Sequence, residues 1–91
     1  MEKYRKKPIE IEAIRFDDEN KDRVYTWASG IQKNIYHGWD ENQDPVLKIP
    51  TLEGEMICGL GDYLILEPFP TDWRKLYPCK ADIFEKTYEK V

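Results

Sequence analysis

The side chains able to do chemistry in this sequence are few and scattered. Cys58 is followed by a glycine turn, and Cys79 stands between Pro78 and Lys80 where a helix is expected to begin. A thiol at a helix N-terminus beside a lysine can have a lowered pKa, so Cys79 is the best reactive candidate. It lacks a general base, because the single histidine, His37, lies in a different stretch. His37 with Asp40, Glu41 and Asp44 forms a weak metal or acid–base pattern, and a solvated loop is the simpler reading. Gly59-Leu60-Gly61 lacks the GK[ST] or GxGxxG context of a phosphate loop and reads as a turn. No catalytic residue, cofactor or metal ligand is therefore assigned.

Binding is the better-supported chemistry. Tyr36, Trp39, Phe69 and Trp73 are bulky aromatics in turn-rich surroundings, where periodicity assigns them no place in a core. Large aromatics there serve either as lids over a small core or as contact residues. Lys3, Arg5, Lys6 and Lys7 form a secondary basic patch before Pro8. Acidic knots follow at Asp17-Asp18-Glu19 and around Asp40 to Asp44. The net charge of -4 argues against a dedicated nucleic-acid binder.

These residues must be held by a single small domain of 91 residues, 41% of them hydrophobic. A chain of this size hides only about 60% of its unfolded surface, so stability is modest or shared with a second subunit. No apolar run approaches the roughly 20 residues of a membrane helix. Two cysteines make no disulfide framework.

Periodicity supplies the elements. Residues 8–16 alternate as a half-buried strand, with Ile9, Ile11 and Ala13 in one phase and Ile14 and Phe16 in the other. That phase slip predicts a bulge near Ala13. Val24, Trp27, Ala28 and Ile31 mark one face of a helix over residues 20–30, capped by Asp18 or Asn20 and ended by Gly30. A short strand is expected over 32–36 and a loop over 37–45. Strands follow at 46–51 and 56–58 about a hairpin turn in which Gly54 takes positive φ. Residues 63–66 are apolar on both faces and read as a central strand. A strand over 73–77 and a helix over 81–89, docked through Ile83, Phe84 and Tyr88, complete the chain. The class is α+β: an antiparallel sheet of four to six strands, a helix after the first strand and a C-terminal helix.

Three strings, YRKKPIEIEA, TLEGEM with the following GDYLI, and YPCKADIFEKTYE, together resemble a family of small, functionally uncharacterised phage and prophage proteins. The likeness spans residues 3–16, 49–66 and 77–89. Ala81 and Leu60 stand where similar proteins tend to carry proline. The resemblance implies a phage origin and a bacterial host cytoplasm, and supplies no activity. The leading expectation is a non-enzymatic accessory protein that binds a host or phage protein, with a homodimer as a further expectation. The alternatives are a small-ligand or nucleotide binder that sequesters a host defence signal, and a minor virion component.

Overall fold

The computed structural model describes residues 1–91. The chain order is β1 (Glu12–Arg15), α1 (Lys21–Ile31), β2 (Tyr36–Trp39), β3 (Pro45–Thr51), β4 (Gly54–Cys58), β5 (Tyr63–Leu66), β6 (Leu76–Cys79) and α2 (Ala81–Thr87). The α+β class is as expected. The six strands form two three-stranded antiparallel sheets, ordered β1-β5-β6 and β2-β3-β4, instead of one sheet. Strand β5 is central in the first, as its two-sided apolar pattern requires.

The core lies between the inner faces of the sheets and α1. Val24 and Ala28 of the helix join Phe16, Leu47, Ile49, Cys58, Leu64 and Leu76 in one buried cluster. Ile65 faces the other way. It is fully buried yet outside that cluster, on the face it shares with Tyr63. Helix α2 covers that face. Phe84 stacks on Tyr63 at 3.8 Å between ring centroids, and Tyr88 tilts against Phe84 at 4.9 Å. The docking is thus an aromatic stack and not a buried apolar stripe. Ile83, expected in the core, is 55% exposed.

The two sheets have no shared backbone ladder. Beside the shared core, one amide bridges them: Gln32, just after α1. Its Nε2 donates to the Pro50 carbonyl at 2.9 Å, and its Oε1 accepts the N–H groups of Lys75 at 2.7 Å and Leu76 at 2.8 Å. The residue is almost wholly buried. Pro50 lies beyond the last residue that β2 pairs with, so its carbonyl would otherwise have no partner on that side.

Several local expectations are corrected by such contacts. No bulge occurs near Ala13. Residues Glu12 to Arg15 pair in unbroken register with Leu66 to Tyr63, and residues 8–11 are unpaired. Gly30 lies inside α1 without positive φ. The helix ends where Gln32 turns extended while its N–H still bonds to the Ala28 carbonyl. Asn20 and Asp17 exchange side-chain bonds with each other's N–H groups at 2.9 and 2.8 Å, so Asn20 braces the approach to the helix without capping it. The strand expected over 32–36 lies at Tyr36–Trp39. Gly38 is a strand residue, and a Cβ there would stand 2.9 Å from Lys48 Cε. The last strand starts at Leu76 instead of residue 73, because Gln32 and the Asp72 carboxylate take the N–H groups of residues 74–76. Gly54, at φ +105°, fills the hairpin role expected of it.

Gln32→Ala would leave a carbonyl and two N–H groups without partners, at a cost of about 2–4 kcal/mol. Gln32→Glu keeps the two acceptor bonds but sets a carboxylate against the Pro50 carbonyl, and should also destabilise. Chemical denaturation checks both, and a wild-type midpoint in Gln32→Ala would refute the junction's importance. The two phenylalanines offer a second comparison. Phe16→Ala should cost about 3–5 kcal/mol. Phe84→Ala, at a partly exposed stack, should cost about 1–2. Equal losses would mean that α2 belongs to the core.

Candidate functional site

The four aromatics singled out from the sequence are all exposed: Tyr36 56%, Trp39 66%, Phe69 69% and Trp73 44%. None is a lid over the core. They are not one surface. Tyr36 and Trp39 lie three residues apart on β2 and so point to opposite faces of that strand. Trp39 is on a strand and not on a loop, opposite Pro45 at the start of β3. Six residues of extended chain, about 20 Å, separate that end of β3 from Thr51. Trp73 carries the Arg74 guanidinium 5.7 Å from its ring centroid.

Phe69 lines a cavity. A groove of about 470 Å³ runs between the β3–β4 turn and the segment from Glu67 to Pro78. Leu52 and Met56 wall one side, Phe69 and Tyr77 the other. Leu52 is 64% exposed at the tip of a hairpin, an unusual place for a bulky apolar side chain. Thr51 fixes that turn: its hydroxyl donates to the Gly54 carbonyl at 2.7 Å and accepts the Glu53 N–H at 3.2 Å. Glu53 and Glu67 bring carboxylates to the rim, and Arg74 and Lys75 bring cations. Arg74 is already engaged. Its Nη2 lies 2.6 Å from Asp72 Oδ2, and this guanidinium holds the Asp72 carboxyl below its ordinary range. Leu52, Met56 and Tyr77 were missed in the sequence, Met56 and Tyr77 because each falls in an expected strand and Leu52 because it reads only as part of a turn. The one available signal was Leu52 in the turn itself.

The basic patch stands apart from the groove's walls. Residues 1–10 are all exposed and outside any helix or strand, so Lys3, Arg5, Lys6 and Lys7 lie on a free arm.

The thiol chemistry weighed for Cys79 is reversed. Both cysteines are free. Partial burial pushes the Cys79 thiol up, and the Asp62 and Asp82 carboxylates push it further. Cys58 is pushed up to about 12, by burial first and then by Asp62. Asp62 is the pivot of this region. Its Oδ2 accepts the Gly59 N–H at 3.0 Å and lies 3.1 Å from Lys80 Nζ. His37 packs against the Tyr25 ring at 4.1 Å. Asp40 is occupied in closing its own turn, where Oδ1 accepts the N–H groups of Asn42 and Asp44. No three His, Cys, Asp or Glu side chains are gathered as a metal ion would need.

No helix is long and apolar enough to cross a membrane. Compared with protein-family models, curated proteins and solved structures, the chain matches none.

Thiol titration tests the electrostatics. At pH 8 Cys79 should react several-fold more slowly than free cysteine, and Cys58 only after unfolding. Because Cys58 is raised on folding, its contribution to stability is complete below about pH 9 and is lost as pH climbs toward 12. A fast-reacting thiol at neutral pH in the native protein would contradict this arrangement.

Proposed function

We propose that this chain is a non-enzymatic binding module whose contact surface is the groove between the β3–β4 turn and the Glu67–Pro78 segment. The observation that carries the reading is the pairing of Leu52 and Phe69. Two large apolar side chains, each about two-thirds exposed, flank one concave surface. Single exposed apolar residues are ordinary, whereas two facing each other across a groove form a patch. The strings TLEGEM and YPCKADIFEKTYE, distant in sequence, contribute residues to its two sides. The likeness of those strings to phage proteins supports an accessory role in a bacterial host cytoplasm, with a host or phage protein as the partner.

A protein segment suits the groove better than a phosphorylated ligand. Glu53 and Glu67 repel phosphate, and the Arg74 charge is engaged by Asp72. An apolar segment with mixed charges meets both the walls and the rim.

Leu52→Ser and Phe69→Ser should each shift Tm by no more than about 3 °C, because neither side chain supports the core. Both should abolish capture of a protein that the wild type retains from infected cells. Capture unaffected by either change would sink the groove as the contact surface. Purified protein that carries a ligand absorbing at 260 nm, lost in Phe69→Ser, would replace the protein partner by a nucleotide.

A further inference from the structure

Strand β1 is the outermost strand of its sheet, and ten exposed residues precede its half-buried neighbour Ile11. The molecule measures 49 × 27 × 24 Å. The excess along the long axis is the length of about seven extended residues. Pro8 fixes its own φ and holds Lys7 extended, so this arm is stiffened at its centre. It also has the alternation of a strand, with Ile9 and Ile11 in one phase and Glu10 and Glu12 in the other. A strand sequence with no ladder, continuous with an uncovered sheet edge, is a template for pairing with another chain.

We infer that the occupant is a second copy of this chain, paired antiparallel through Arg5 to Ala13 about a two-fold axis at Ile9. Hydrogen-bond parity supports the arrangement. The Phe16 N–H donates to the Asp62 carbonyl at 2.9 Å, and the Phe16 carbonyl accepts the Gly61 N–H at 2.7 Å. Phe16 therefore directs its polar groups toward β5. Along an extended strand this direction alternates, so Glu12 and Ile14 also face β5, and Ala13 and Arg15 face the open edge. Continued down the arm, Lys7, Ile9 and Ile11 present their N–H and C=O groups to that edge. The nitrogen of Pro8 falls on the other side, where its missing hydrogen costs the new ladder nothing.

Charge selects the register. A two-fold axis sets one residue opposite its own copy. With Ile9 at the axis, Lys7 meets the partner's Ile11, and Lys6 meets the partner's Glu12 at both ends of the ladder. With Glu10 at the axis, two carboxylates face each other and Arg5 meets the partner's Arg15. With Ile11 there, Glu10 meets Glu12 twice. With Pro8 there, two prolines meet where the strands approach most closely. The long-range charges agree: residues 1–10 carry four basic and two acidic side chains, and the remaining chain ten basic and sixteen acidic. A basic arm is drawn to the acidic body of another molecule. The product is a continuous six-stranded sheet in which Ile9 and Ile11 of both copies line one face beside Ala13.

The test is sedimentation of the full chain with a charge swap. The wild type should sediment as a dimer at high micromolar concentration, weakening as salt is raised. Lys6→Glu should weaken dimerisation about tenfold or more, since it replaces two attractive cross-strand pairs by two repulsive ones. Combining Lys6→Glu with Glu12→Lys should restore it to within about threefold. Ile9→Cys, in a Cys79→Ser background, should form an intermolecular disulfide on mild oxidation, which Pro8→Cys should not, and melting temperatures identify any variant that fails to fold. A single-chain mass for the wild type would overturn the proposal, as would a dimer indifferent to the swap. Preferential cross-linking through Pro8→Cys would overturn the register.

Discussion

The fold depends on one buried amide. Two three-stranded sheets that share no ladder leave polar backbone where they meet, and buried backbone without partners costs about 1–3 kcal/mol per group. Gln32 meets both needs because a primary amide carries a donor and an acceptor on one planar group. Its Nε2 serves β3 beyond the reach of β2, and its Oε1 serves two consecutive N–H groups leading into β6. A carboxylate could not donate, and a lysine could not accept. The same residue ends α1, so the end of the helix, the junction of the sheets and the start of β6 are fixed together. The groove wall at Lys75 and Leu76 is held by that contact too.

What the sequence disclosed and what it withheld divide along this line. The alternation in β3, the two-sided apolar run of β5, the helical face at Val24 and Ala28 and the positive φ of Gly54 follow from neighbours in the chain, and they were legible. The end of α1, the strand at Tyr36–Trp39 and the start of β6 were not. The first and the last are decided by a contact distant in sequence, since Gln32 reaches residues 43 and 44 positions further on, whereas β2 is fixed by its hairpin partner β3. Gly38 misled for a related reason. Glycine between polar residues reads as a loop, whereas here it makes room for the Lys48 side chain crossing from β3. For the four aromatics the sequence left lids over the core and contact residues as open alternatives, and their exposure removes the first. That they would not form one surface depended on sheet order, which no single strand encodes.

A small two-sheet domain also explains why so much apolar surface stays outside. Of the 41% of residues that are hydrophobic, eleven side chains are buried. A thin layered structure has little interior for its surface. Part of the remainder forms the Tyr63–Phe84–Tyr88 stack. Leu52, Met56 and Phe69 gather around the groove, and Ile9 lies on the arm. Two of the places where apolar side chains stay exposed are thus a concave surface and a sheet edge. These are the two geometries by which a small domain gains a partner with least rearrangement of its own backbone.

Asp62 shows how structure and reactivity are linked in the same residues. Its side chain is only 10% exposed, and it binds the turn at Gly59 to Lys80 at the entry of α2. These contacts join the GDYLI string to the YPCKADIFEKTYE string. A buried carboxylate so placed stays satisfied while it is bonded to an N–H and an ammonium. Its charge, however, falls on both thiols, and a second anion close by is disfavoured. Burial is the first cause that holds Cys58 and Cys79 as neutral thiols, and the Asp62 carboxylate at the entry of the C-terminal helix adds to it. Lys80, which on sequence grounds could have activated Cys79, is drawn instead to Asp62. The position that most resembles a reactive site in the sequence is thereby engaged in holding the fold.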